Sequence, residues 1–152
     1  MMPVLPTLLS LVTACAAVAA VWHYIHTDQH RMAETFIKLE ERFRELQPAA
    51  RMIDPAAGES QVLIEALSAS LTKASKTAEQ RDVIIKFEEL MRFFVLVGRL
   101  HHGTFLRQGE LISMYAYWLA ALRDDPVLNA YVTRYFPSVK ELAEQAATAR
   151  QL

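Results

Sequence analysis

The chain has 152 residues, with 16 Lys and Arg against 17 Asp and Glu, one cysteine and 4 glycines. A near-neutral charge without a clustered basic excess argues against a nucleic-acid footprint, and a lone cysteine excludes an intrachain disulfide. Less an apolar N-terminal segment, the length suffices for one hydrophobic core without metals or disulfide staples.

From Met1 to Thr27 there is no Asp, Glu, Lys or Arg. Val4 to Ile25 spans 22 residues, interrupted only by Pro6, Thr7, Ser10, Thr13 and His23. A helix crossing ~30 Å of hydrocarbon needs ~20 such residues. Trp22 and Tyr24 stand where an aromatic belt meets the lipid–water boundary, and Arg31, Lys38, Arg42 and Arg44 follow on the C-terminal side. The positive-inside rule then predicts a single-pass inner-membrane protein, N-terminus outside and C-terminal domain cytoplasmic. The lipid bilayer is the expected partner of residues 4–25. Two processed forms compete: a signal peptide cleaved after Ala17-Val18-Ala19, and a lipoprotein signal at Val12-Thr13-Ala14-Cys15. Both lack the basic n-region such signals carry, and apolar residues continue past Cys15 to Ile25. The uncleaved anchor over 1–27 is the preferred reading.

A juxtamembrane neck helix follows over 28–47. Met32, Phe36, Leu39, Phe43 and Leu46 are spaced 4, 3, 4 and 3 apart, an a/d seam of two heptads. These five residues form the candidate interaction surface. They are read either as a stripe packing on the chain's own helices or as a contact between copies in a homo-oligomer. The first is preferred, because phenylalanine at both a positions suits a dimer seam less well than β-branched residues.

Pro48 predicts the end of the neck, and 48–58, with Pro55 and Gly58, a linker. The helical bundle domain is placed at 59–152. Its first helix is expected over 59–76, with Leu63, Leu67, Leu71 and Ala74 on one stripe. Thr77 with Gln80 matches a capping box opening the next helix. There Val83, Phe87, Leu90, Phe94 and Val97 are flanked by Ile84, Met91, Phe93, Val95 and Leu96, the mark of a helix buried on most sides. Lys86, Glu88, Glu89 and Arg92 exclude it as a second membrane span, and Gly98 is its expected C-cap. A further helix covers 104–122. Asp124 and Asp125 before Pro126 read as an N-cap with proline at the first helical position. That helix runs to Phe136, and Ser138 with Glu141 caps a last one ending near Arg150. No window shows strand alternation. The expected fold is all-α: an N-terminal transmembrane helix extending into a neck helix, then a small bundle of about five helices.

The candidate chemistry is sparse. His101 and His102 are imidazoles suited to metals, but neighbours on one turn rarely address one ion and no third ligand accompanies them. Glu88 or Glu89 on the apolar helix could be a shifted acid; an ion pair with Arg92 is the simpler expectation. Tyr115, Tyr117, Trp118, Tyr131, Tyr135 and Phe136 make the C-terminal half aromatic, more often a core with polar tips outward than a pocket. Gly-x-Ser-x-Gly, phosphate loops and paired cysteines are missing, so neither catalytic residue, cofactor nor metal is assigned.

The run Ile84-Ile85-Lys86-Phe87-Glu88-Glu89-Leu90, leading through Gly98 into a Tyr/Trp-bearing helix after an N-terminal membrane segment and neck, resembles an uncharacterised bacterial domain-of-unknown-function family. The likeness covers about residues 1–135. Lys86 departs from the aromatic commoner there, and His101-His102 from an acidic turn. The resemblance implies the architecture and brings no activity. The expected function is a membrane-anchored cytoplasmic interaction or scaffold module whose protein partner is unknown. The alternative is a small membrane-associated enzyme or ligand sensor using a cavity between the 83–97 and 105–122 helices.

Overall fold

A computed structural model describes residues 30–102 and 108–149, together with Ala19, Trp22, His23 and Thr27. The chain divides into two units, Met1–Leu39 and Glu40–Leu152. Among the described residues every regular element is helical, and no helix is long and apolar enough to cross a membrane. The anchor segment 4–25 lies outside the described residues except for Ala19, Trp22 and His23, all helical.

In the first unit residues 30–39 are helical. Met32 and Phe36 are half-buried and Leu39 is buried, whereas Ile37 is exposed.

The second unit opens on the helical residues 40–45, labelled α1. Leu46 then breaks the chain for one residue before α2, Gln47–Ile53. The expected linker at 48–58 is therefore corrected: its first half is helix, with Ala49, Ala50 and Ile53 buried. Pro48 sits in the first turn of α2, where a missing N–H costs nothing because that donor has no intrahelical partner anyway. Here proline opens a helix instead of ending one. The true connection is 54–59, where Asp54 Oδ1 accepts from the Ala56 N–H at 2.9 Å and Gly58 takes a left-handed φ of 69°.

Helix α3, Ser60–Leu71, ends earlier than expected. The Ala74 N–H donates to the Ala69 carbonyl at 2.8 Å and the Lys73 N–H to the Ser70 carbonyl at 3.3 Å. This 6→1 and 5→2 pair is a Schellman closure, and it puts Lys73 at φ 58°, a left-handed position that usually belongs to glycine.

Helix α4, Ala78–His102, opens on the expected capping box. The Thr77 N–H donates to Gln80 Oε1 at 3.1 Å, and the Gln80 N–H to Thr77 Oγ1 at 3.2 Å. Phe87, Leu90, Met91, Phe94 and Val97 are wholly buried, one stripe at helical spacing. Ile85 and Leu96 are exposed, so the apolar surround is narrower than the sequence suggested. Gly98 is no cap: α4 runs four residues past it. Gly98 is buried, and a Cβ there would stand 3.9 Å from Leu142.

Helix α5, Gln108–Asp124, is followed by α6, Pro126–Tyr135, and α7, Pro137–Ala149. Asp125 caps α6 as expected, its Oδ1 accepting from the N–H groups of Val127 and Leu128, each at 2.9 Å. The cap assigned to Ser138 is corrected, because α7 starts one residue earlier at Pro137. The Val139 N–H bonds the Phe136 carbonyl at 2.9 Å, and proline supplies the fixed φ of a first helical residue. Val139, Leu142, Ala143 and Ala146 are buried, and α7 packs on α5 most extensively, with α4 and α6 beside it.

Candidate functional site

Helix α5 faces two ways. At 3.6 residues per turn, side chains two residues apart point to nearly opposite sides. Tyr115 and Tyr117 do so: Tyr115 is buried, Tyr117 is 47% exposed.

The Tyr115 side is filled with rings. The Phe43 ring lies 5.1 Å from Tyr115, 5.5 Å from Phe93 and 6.4 Å from Phe94. Trp118 closes on it at 5.9 Å. Phe93 meets Tyr115 edge-on at 5.3 Å and Phe94 meets it at 6.0 Å. Edge-to-face pairs of this kind add to the burial of the rings themselves. Of the five candidate surface residues, Phe43 is thus taken into the bundle's aromatic core and Leu46 is buried at the α1–α2 break. Met32, Phe36 and Leu39 belong to the first unit. Burial, reinforced by the charge of Glu40, pushes the Tyr115 hydroxyl up to about 12. That hydroxyl has no hydrogen-bond partner among the described residues.

On the other flank of α4, Tyr131 meets Phe87 edge-on at 5.8 Å and donates to Glu88 Oε1 at 2.9 Å. Burial, then the bond to Glu88 and the charge of that carboxylate, hold Tyr131 well above the ordinary tyrosine range. Glu88 also pairs with Arg92 at 3.6 Å, the ion pair expected from sequence. Both its oxygens are occupied in holding α4 to α6 and in the pair with Arg92. His101 is buried. Among the described residues no group of three His, Cys, Asp or Glu side chains could hold a metal ion.

The Tyr117 side is open. A groove of about 480 Å³ runs between the end of α2, the start of α3 and the α5–α6 junction. Ile53 and Pro55 form one wall, and Ser60 and Ile64 the next. Ala120 and Ala121 let the floor fall close to the α5 backbone, with Leu128 beneath. Tyr117 stands at the rim, donating to Asp54 Oδ1 at 2.6 Å. That bond, with the Ala56 N–H, lowers Asp54 below the usual carboxylate range, and it raises Tyr117. Asp124 and Asp125 complete the lining. Both are already engaged through Oδ1: Asp124 accepts from Arg123 at 2.7 Å, and Asp125 caps α6. No residue of α4 lines this groove, so it is distinct from the cavity expected between the 83–97 and 105–122 helices, and the α5 side toward α4 holds Tyr115 against Phe93 and Phe94. Beyond α5, the groove's walls come from α2, α3 and α6.

Sequence reasoning missed this site because each contributor had a local explanation as punctuation. The available signal was the pair of Asp-Pro steps, Asp54-Pro55 and Asp125-Pro126, which mark the two chain corners the fold brings together. No family model, curated protein or solved structure matches the chain.

Proposed function

We propose that the protein is a membrane-anchored helical interaction module, held by residues 4–25 with its C-terminal unit in the cytoplasm. The observation that carries this reading is the charge-free run from Met1 to Thr27, followed by Arg31, Lys38, Arg42 and Arg44. Its apolar length matches a hydrocarbon core, and the basic residues on one flank orient it. The likeness to the uncharacterised bacterial family belongs to the same proposal. Two features of the second unit support an interaction role. Its core is closed by edge-on and tilted rings, and an open groove lies between helix ends, a shape that suits a partner's side chains. Self-association through the neck would draw on the half-buried Met32 and Phe36, since Leu39 and Leu46 are buried and Phe43 packs among Phe93, Phe94 and Tyr115.

The test is topological. A reporter fused after Leu152 is expected to be active when it is one that works only in the cytoplasm. Activity of a periplasm-only reporter at the same position contradicts the orientation.

A further inference from the structure

The groove between α2, α3 and the α5–α6 junction has a floor and a rim of different character. The floor and lower walls are apolar, with Ala120, Ala121 and Leu128 below and Ile53 and Ile64 beside them. The rim is negative through two carboxylates, Asp124, already ion-paired with Arg123, and Asp125, which caps α6; among the described residues no Lys, Arg or His lines the groove itself. The C-terminal end of α5 at Asp124, where the helix dipole is negative, reinforces that sign. The opposing positive end of α6 is quenched by the Asp125 cap. The hydrogen bonds of both carboxylates fall on Oδ1, which leaves each Oδ2 for a further donor. Tyr117 adds an aromatic face at the rim, fixed by its bond to Asp54 and set edge-on to Trp118 at 5.1 Å.

We propose that this groove receives an arginine side chain, with an adjacent apolar residue, from a peptide segment of a partner protein. The assignment rests on the interaction-module reading and names the chemistry of its partner. Arginine fits each feature separately. Its methylene stem lies on apolar surface while its head stays polar. Its planar guanidinium offers donors in a fixed fork to carboxylate oxygens. The same plane stacks on an exposed tyrosine ring. Lysine matches the charge but neither the fork nor the stacking. The neighbouring apolar side chain takes the floor at Leu128, against the wall at Ile64.

The test uses the full chain in detergent micelles and fluorescence anisotropy of a fluorescein-labelled Gly-Ser-Leu-Arg-Ser-Gly peptide. Its counterpart carries citrulline, an uncharged near-isostere of arginine. The arginine peptide is expected to give a saturable rise, with the citrulline peptide roughly tenfold weaker, the loss of one charge-assisted contact. Ala121→Trp, which fills the floor, is expected to abolish the rise. Asp124→Asn with Asp125→Asn is expected to weaken it at least about tenfold and keep the fold, because asparagine caps a helix as well as aspartate. Circular dichroism melting of each variant checks folding, and the Asn pair remains decisive if the Trp variant fails to fold. Equal binding of the citrulline peptide, binding unchanged by Ala121→Trp, or no saturable rise overturns the assignment. So does a concentration-dependent doubling of mass that Ala121→Trp removes, which would make a second copy the occupant. Membrane sedimentation of the same chain separates the two proposals. A chain that sediments with membranes but ignores the peptide loses the arginine site alone; a chain that does not sediment loses the anchor.

Discussion

The two sides of α5 show one helix serving opposite ends. Toward Phe43, Phe93 and Phe94 it presents Tyr115 and closes the core with rings about 5 to 6 Å apart. Toward α2, α3 and α6 it presents Tyr117, Ala120 and Ala121 and leaves about 480 Å³ open. The difference lies in side-chain size. Rings at 43, 93, 94 and 115 fill their space, whereas two alanines near a corner of three helix ends cannot. Stability should concentrate at the ring-filled end and recognition at the alanine-lined one.

Truncation on either side measures that division. Phe94→Ala, wholly buried, is expected to cost ~3–5 kcal/mol, a large part of an ordinary domain's stability. Ile64→Ala, on the half-buried wall of the groove, should cost only about 1 kcal/mol, since little packing is lost there. Urea unfolding of the two variants compares them directly. Similar losses would mean that the groove wall carries as much of the core as the rings do.

The two buried tyrosines sharpen the point with opposite signs. Tyr131→Phe removes the bond to Glu88 and should cost about 1 kcal/mol. Tyr115→Phe removes a buried hydroxyl that lacks a partner, so it should be neutral or stabilise by up to about 1 kcal/mol. Both tyrosines have raised folded values, so the folded state keeps protons that the unfolded chain releases near pH ~10. Their contribution is complete below that pH and is lost as the pH climbs through the folded values. Melting temperature should therefore fall above about pH 10 in the native chain, and less steeply in the doubly substituted Phe variant.

The smallest expected effects are at helix ends. Asp125→Ala should cost about 1 kcal/mol through loss of the α6 cap, and Asp125→Asn almost nothing. Lys73→Gly, which relieves a left-handed lysine, should raise stability by about 1 kcal/mol. A loss on Lys73→Gly, read by thermal melting, would show that the lysine side chain holds the α3–α4 turn in some other way.

How much of this was legible depended on the range of the signal. The apolar stripe of α4 and the caps at Thr77, Gln80 and Asp125 were readable because each is fixed within one or two turns of chain. Pro48 and Gly98 misled for one reason. Proline and glycine are compatible with both helix ends and helix bodies, and only tertiary packing decides. Buried Ala49, Ala50 and Ile53 keep α2 helical after Pro48, and α4 continues past a buried Gly98 that packs near Leu142. Heptad spacing places Phe43 on an apolar stripe but cannot say what covers it; in the fold Phe93, Phe94 and Tyr115 do. The groove was invisible for a deeper reason: its walls come from residues 53–64 and 117–128, joined only by the fold.

The central claim, attachment through residues 4–25, is tested most directly by alkaline carbonate extraction of membranes from cells making the full chain. The native chain is expected to stay in the membrane pellet. A variant with Leu9→Asp and Val12→Asp, two charges at the middle of the apolar run, is expected in the supernatant with the melting temperature of its helical unit unchanged. A native chain released by carbonate, or a doubly charged variant that stays in the pellet, would contradict the account.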